Sequence, residues 1–138
     1  MLFQVDFITY IGVYRSIETE KLNVPTSEGR RTILSNHMPI MLTLETGVIE
    51  TANAGKVSHY AITSGLMYFK DNRAEIVLDS VIDVEEIDVE RAHRDIAASR
   101  EMLESLETEA EKARARMKIM RAENMLAAVK KYRPDRQS

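Results

Sequence analysis

The spacing of hydrophobic and polar positions changes near residue 86 and divides the chain into two predicted regions. Before that point, short segments rich in β-branched and aromatic residues alternate with turns, a pattern typical of an all-β domain. Alternation is clearest where Phe3, Val5 and Phe7 interleave with Gln4 and Asp6, so we expect one buried and one solvated face. We predict strands near 2–9, 13–22, 32–34, 41–44, 48–52, 57–63, 66–70 and 74–84.

The second region is predicted to be helical. From Asp88 to Arg133 the sequence contains neither Gly nor Pro, and strong helix formers dominate. Asp88 is the predicted N-cap, and Thr108 with Glu111 has the spacing of a capping box that begins a second helix. The intervening residues 104–108 lack Gly, Pro and Asn. A hairpin and one long helix are therefore both compatible with this sequence.

Two apolar faces run along the helical region. The first has the spacings of four and three that are typical of helix-on-helix packing. The second lies on the second helix and adds more apolar surface than one neighbouring helix would cover, which implies a further partner. The first face contains Ala92, Ile96, Ser99, Leu103, Leu106, Ala110, Ala113, Met117 and Met120, and the second contains Ala115, Ile119, Ala122, Leu126 and Val129.

These patterns predict a flattened antiparallel β-sandwich or barrel over residues 1–86 and a two-helix antiparallel hairpin over residues 87–138. The 44% apolar and 30% charged fractions are those of a globular protein, and a formal charge of −3 argues against nucleic acid as a partner. The chain has no cysteine, which excludes disulfides and thiol catalysis. No apolar run reaches the roughly 18 residues that cross a bilayer, so membrane association would require a partner.

Catalysis and metal binding find little support in the sequence. His37, His59 and His93 lie in separate contexts, without the spacing that places two ligands on one helix face. Glycine-rich phosphate loops and a nucleophile elbow are absent from the sequence. An acidic cluster at residues 83–88 is better interpreted as a solvated linker before a capped helix than as a cation site. We therefore predict no catalytic residue, no metal and no required cofactor.

The stretch 29–40, followed by 44–49, resembles a signature of the epsilon subunits of F-type ATP synthases. That signature is a glycine, a short strand ending in Ile-Leu, a turn with His-x-Pro, then Leu-x-x-Gly and a strand. Further landmarks follow in the family's order at 12–14, at 64–65 and at 87–92, where the sequence is Ile-Asp-Val-Glu-Arg-Ala. The resemblance covers nearly the whole chain.

The resemblance implies a non-catalytic rotor subunit in the central stalk of a proton-translocating ATP synthase. In this family the β-sandwich couples the gamma subunit to the c-ring, and the hairpin is able to extend toward the alpha and beta subunits and inhibit ATP hydrolysis. The implied location is the cytoplasmic face of a bacterial plasma membrane, where the complex holds the subunit peripherally. The alternative is a free-standing β-domain adaptor whose coiled-coil hairpin binds another protein.

The resemblance also implies two partner-binding regions. One is a loop near the rotor interface that contains His37, Met38 and Pro39. For His37, a turn residue satisfied by backbone hydrogen bonds is an equally good interpretation. The other region consists of basic residues that face acidic residues of the beta subunits when the helices are extended, namely Arg114, Arg116, Lys118 and Arg121.

Some bacterial members of the family bind regulatory ATP on the folded hairpin, through a motif similar to the sequence at 87–92. Arg121 matches a further arginine of that site, whereas Ala98 and Met125 stand where other arginines would be expected, and Ile82 replaces an acid. We therefore expect a weak regulatory ATP site. Its residues would be Ile87, Asp88, Arg91, Ala92 and Arg121.

Overall fold

The computed structural model describes residues 1–133 and divides into two compact units, Met1–Asp83 and a second unit that starts at Val84. The predicted boundary lay three residues later, after residue 86. The end of the predicted hairpin region, 134–138, lies outside the described residues. Within residues 1–133, no helix is both long and apolar enough to cross a membrane.

The first unit is a nearly closed β-sandwich, as the sequence predicted. Neighbouring strands are mostly antiparallel, but β1 runs parallel to β9, with Gln4 opposite Arg73 and Ile8 opposite Val77. The order across the sheet is β10-β7-β6-β3-β5-β8-β9-β1-β2, and β4 pairs with β3. The strands are Phe3–Thr9 (β1), Gly12–Thr19 (β2), Lys21–Thr26 (β3), Gly29–Leu34 (β4), Ile40–Leu44 (β5), Gly47–Asn53 (β6), Lys56–Ile62 (β7), Gly65–Lys70 (β8), Arg73–Leu78 (β9) and Val81–Asp83 (β10).

The predicted strand 13–22 is wrong, because the chain breaks at Glu20 and forms two strands, β2 and β3. The Thr19 hydroxyl explains why the break is tolerated without Gly or Pro. Its one proton is shared between the carbonyl oxygens of Lys21 at 2.7 Å and Ala52 at 3.0 Å, and its oxygen accepts from the Ala52 amide at 3.2 Å, so it satisfies backbone groups that strand pairing would otherwise occupy.

The predicted strand 74–84 is also two strands, with a break at residues 79–80. Here the Thr63 hydroxyl makes hydrogen bonds with the Asp79 carboxylate at 3.2 Å and with the Ser80 hydroxyl at 2.8 Å. At both breaks a threonine hydroxyl from a neighbouring strand end thus makes hydrogen bonds with residues at or beside the interruption.

The sandwich core is built around β1, whose alternate residues Phe3, Val5 and Phe7 are fully buried. The Phe3 ring meets Phe69 nearly edge-on, with centroids 5.4 Å apart, and Phe7 lies 4.5 Å from the Tyr60 ring. Such aromatic contacts add to the stabilisation that comes from burying the rings. The core belongs to the first unit alone, so this unit has the packing of an independent domain.

Asp6 is buried, with 4% of its surface exposed, although the alternation predicted a solvated position. Its carboxylate accepts hydrogen bonds from Arg73 at 2.6 and 3.0 Å and from Gln4 at 2.9 Å. Burial alone disfavours the ionised form, but hydrogen bonds from Gln4, Ser16 and Arg73 outweigh it and lower the pKa of Asp6. Period-two patterning cannot distinguish a solvated carboxylate from a buried, paired one.

Side chains connect the two ends of the strand order, β2 and β10. The Arg15 guanidinium donates to the Asp83 carboxylate at 2.7 Å, and the Asp83 amide donates to the Tyr14 hydroxyl at 3.0 Å. These bonds join strands that do not pair through their backbones and bring the sandwich close to a closed barrel.

The second unit contains a short 3₁₀ turn at Val84–Glu86 and two helices, Val89–Leu103 (α1) and Glu109–Tyr132 (α2), that pack on each other as a hairpin. The predicted caps are confirmed. Asp88 accepts from the Arg91 amide at 3.0 Å, and Thr108 and Glu111 form the reciprocal capping box. The hydrogen bonds from Thr108 lower the pKa of Glu111. This cap starts a new helix after residue 108.

The predicted first apolar face is confirmed in α1 but is wrong in α2. Ala92, Ile96 and Ser99 are buried, whereas the α2 members Ala113 and Met117 are exposed. The prediction assumed one helical phase through the whole region, and the break between the helices resets that phase. The buried residues of α2 are Ala115, Ala122, Ala128 and Val129, mostly from the predicted second face.

Candidate functional site

The loop between β4 and β5 carries the predicted rotor-interface residues, and Asn72 holds it in place. The Asn72 side-chain oxygen accepts from the Asn36 amide at 2.7 Å and from the Ser35 hydroxyl at 3.3 Å. Its amide nitrogen donates to the Leu2 carbonyl at 3.2 Å. Asn72 occupies the left-handed region, with φ 59°, in the β8–β9 turn, where Asn is one of the residues that tolerate it. The sequence prediction missed this support for the loop.

His37 makes the backbone contacts expected of a turn residue. Its amide donates to the Leu34 carbonyl at 3.1 Å, and Nδ1 donates to the Met38 carbonyl at 2.7 Å. The ring lies edge-on to Phe69, with centroids 6.0 Å apart. Met38 is 73% exposed and Pro39 is also exposed. The loop therefore presents Met38 and Pro39 to solvent, with His37 fixed beneath them.

An apolar row, made of Val13, Ile8, Val77 and Leu66, crosses the outer face of four neighbouring strands. Ile8 lies opposite both Val13 and Val77, and Val77 lies opposite Leu66. Val13, Val77 and Leu66 are between 51% and 63% exposed. Sequence alternation could not locate this surface, because it does not show which face of a strand is covered. Met41 and Tyr68, also exposed and paired across β5 and β8, extend the surface.

The residues of the predicted nucleotide motif surround the start of α1. Ile87 and Ala92 are buried, so their side chains belong to the packing of the helical unit. The Asp88 carboxylate caps α1, and Arg91 is exposed. Arg121 lies half-buried on α2. The charged residues of the predicted site thus come from both helices, and one carboxylate oxygen of Asp88 is already engaged.

The two positions where the resemblance would place arginines, 98 and 125, differ in their surroundings. Met125 packs against the cluster of Ala92, Ile96 and Ala122 between the helices. Ala98 lines a cavity of about 280 Å³ between α1 and α2 on the side of the hairpin turn. The other lining residues are Ser99, Met102, Leu106, Glu111, Arg114, Ala115 and Lys118.

The four predicted basic residues of α2 do not share one face of the helix. At 100° per residue, Arg114, Lys118 and Arg121 lie within about 60° of one another, whereas Arg116 points to the opposite side. Arg114, Arg116 and Lys118 are exposed. We call Arg114, Lys118 and Arg121 the basic face.

Comparison with known families identifies the first unit. Residues 2–84 match the model of the ATP synthase delta/epsilon chain beta-sandwich domain. The ATP synthase epsilon chain of Herpetosiphon aurantiacus is 31% identical over 137 residues, which cover 99% of this chain and 100% of that relative. The epsilon chain of Desulforamulus reducens is 28% identical over 91% of this chain and 95% of its own length. The similarity thus extends through both units.

A solved structure shares the fold. A chain in the mitochondrial ATP synthase of Euglena gracilis, solved with OSCP, F1 and the c-ring, superposes with a TM-score of 0.70. The match covers 91% of this chain and 79% of the other, at 21% sequence identity. The likeness concerns the architecture, a β-sandwich followed by two helices.

Proposed function

This chain belongs to the ATP synthase delta/epsilon chain family, and on that premise we propose that it is a non-catalytic rotor subunit that restrains ATP hydrolysis through its C-terminal helices. The observation that carries the proposal is the division of the chain into a sandwich with its own core and a hairpin joined by a short 3₁₀ turn. One unit remains bound to the rotor while the other changes position. The complex holds the subunit at the cytoplasmic face of a bacterial plasma membrane.

The sandwich supplies the rotor contacts in this proposal. Its apolar row offers exposed, laterally continuous side chains of the kind that mark protein interaction sites, and we assign it to the gamma subunit. The β4–β5 loop, which presents Met38 and Pro39, is assigned to the c-ring. His37 supports the loop from beneath through its backbone hydrogen bonds.

The hairpin supplies the regulation. Residues 104–108 contain no Gly or Pro, the two residues that most disfavour a helix. The turn can therefore become helical without placing either of them inside a helix. Extension carries α2 away from α1 toward the alpha and beta subunits. The basic face then meets acidic residues of the beta subunits, where partial desolvation strengthens charge pairing that water weakens on the free chain.

Charge reversal on the basic face is expected to activate hydrolysis. In a synthase carrying Arg114→Glu with Lys118→Glu, repulsion replaces attraction at the docking surface, and ATP hydrolysis at low salt should rise several-fold. The difference in hydrolysis rate between the variant and the wild type should become smaller as the salt concentration rises, because ions screen the charges. The rate of ATP hydrolysis by membranes that contain each synthase is measured at a series of salt concentrations.

Arg116→Glu is the matched comparison, since it reverses an exposed charge on the opposite side of the same helix. Its effect should be smaller than that of the basic-face variant. Far-UV circular dichroism and subunit recovery establish that both variants fold and assemble. Equal activation by the two variants would contradict docking through the basic face, and unchanged hydrolysis in both would contradict electrostatic docking altogether.

ATP binding by the folded hairpin also belongs to the proposal. Arg91 on α1 and Arg121 on α2 supply positive charge that attracts the phosphates of ATP. Asp88 supplies a carboxylate to the same site. Met125 and Ala98 supply none, so the site should be weaker than one completed by further arginines. ATP favours the hairpin only to the extent that it binds this state better than the extended one.

Replacing Arg91 by Ala is expected to weaken ATP binding about tenfold, the effect of losing one charged hydrogen-bond donor. Isothermal calorimetry on the isolated chain measures the dissociation constant. Arg94→Ala is the control, because Arg94 is an exposed arginine of the same helix, 4.0 Å from Glu90. Identical affinities for the wild type and Arg91→Ala would remove Arg91 from the site.

A further inference from the structure

Arg133, the residue that follows α2, returns to the segment in front of α1. Arg133 donates from Nη1 to the Val84 carbonyl at 2.6 Å and from Nη2 to the Ile87 carbonyl at 2.9 Å. A single guanidinium thus joins two backbone oxygens 49 and 46 residues earlier in the chain. Arginine suits this position because its planar fork presents two donors at once.

The local sequence places Arg133 at the end of the helix. Proline follows at position 134, and a residue before proline avoids the helical conformation. Arg133 accordingly leaves the helix, with φ −142°, while its amide still donates to the Val129 carbonyl at 2.8 Å. The guanidinium bonds are part-buried, and Val84, Ile87 and Val129, whose carbonyls accept from Arg133, are buried residues. Hydrogen bonds made by a charged donor in such surroundings are stronger than in water.

The other end of the hairpin is more open to solvent. The cavity of about 280 Å³ lies on that side as a surface groove, because Ala98, Met102 and Lys118 in its lining are exposed. The Arg100–Glu123 ion pair between the helices, at 2.9 Å, involves side chains that are 61% and 52% exposed. Exposed pairs of this kind contribute little. The Arg133 bonds, in contrast, are part-buried and join the end of α2 directly to the segment before α1.

We propose that Arg133 is a latch, defined by its bonds to the Val84 and Ile87 carbonyls, that sets how often the hairpin opens. If α1 and α2 became one continuous helix, Arg133 would lie about 70 Å along the axis from Ile87. Opening therefore breaks both bonds. The latch is a property of the isolated chain. Only the effect of hairpin opening on ATP hydrolysis rests on the proposed function.

Thiol labelling of the isolated full chain tests the latch, because the chain has no cysteine of its own. Ala122→Cys places a thiol at a position that is 2% exposed between the helices, so its labelling rate reports how often they separate. Ala74→Cys, at a fully buried position in the sandwich, reports unfolding of the first unit. Each is combined with Arg133→Met, with Arg133→Lys and with Lys130→Met, which removes an exposed charge from the last turn of α2.

Arg133→Met should raise the labelling rate at position 122 about tenfold and leave the rate at position 74 unchanged. Arg133→Lys should give a smaller increase, because an ammonium keeps the charge but lacks the fork. Lys130→Met should match the parent chain. The latch is overturned if Arg133→Met and Lys130→Met label alike at position 122, or if labelling at position 74 rises in parallel.

ATP hydrolysis by the assembled complex separates this proposal from the proposed function. With the latch removed, a more frequently open hairpin should inhibit more strongly. If labelling at position 122 became faster and ATP hydrolysis did not change, the latch proposal would be supported. Inhibition by the extended helices would then be contradicted.

Discussion

An ATP synthase assembled with a chain that ends at Glu86 is expected to hydrolyse ATP several-fold faster than one with the full chain, while proton-driven synthesis continues. The core of the first unit ends before this point, and the truncation removes both helices. Rotor contacts assigned to the sandwich are retained, whereas the helices assigned to inhibition are lost. Hydrolysis and synthesis are measured on the same membrane vesicles.

The isolated fragment 1–86 provides the control for this truncation. Its circular dichroism should show a β-sheet spectrum and a cooperative thermal transition, since the described core residues of the sandwich all lie before residue 84. An insoluble fragment would show that the sandwich needs the helices in order to fold. Vesicles that hydrolyse ATP but no longer pump protons would show that the helices take part in coupling.

Replacing Gly65 by Ala is expected to destabilise the sandwich by about 3 kcal/mol or more, one of the largest effects available to a single methyl group. A Cβ at this position would lie 2.3 Å from the Val77 carbonyl oxygen and 2.7 Å from the Leu78 Cδ2 atom. The oxygen belongs to the backbone of β9, so relief requires β8 and β9 to separate where Gly65 pairs with Leu78. Urea denaturation of the isolated chain measures the loss.

Gly47→Ala is the matched control, because a Cβ there meets only the Pro25 side chain, at 3.3 Å. A small shift of Pro25 relieves that contact, and the expected cost is about 1 kcal/mol or less. If the two variants lost equal stability, close backbone approach would not be the reason that position 65 holds glycine.

Features of the hairpin that depend on neighbouring residues were predictable from the sequence. Asp88 and Thr108 cap the helices as their spacing indicates, because a cap needs only a side chain and the amides three residues later. The reciprocal contact of Glu111 with Thr108 follows from the same local geometry. The site assignments implied by the family resemblance remain predictions.

Features that depend on distant residues were not predictable. The buried state of Asp6 requires Arg73, 67 positions away, and the break at Glu20 requires the Ala52 carbonyl. The exposed apolar row looks in sequence like any other alternating strand. Arg133 gives no sequence signal beyond a basic residue at a helix end, which the helix dipole alone would explain.

The parallel pairing of β1 with β9 affects how the chain folds as it is synthesised. Phe3, Val5 and Phe7 enter the core only when Arg73–Leu78 has been made, so the sandwich closes late and through contacts of high sequence separation. The helical hairpin, in contrast, forms through contacts between adjacent segments. We therefore expect the first unit to fold more slowly than the second, and its incomplete forms to expose the edge of β1 to aggregation until β9 arrives.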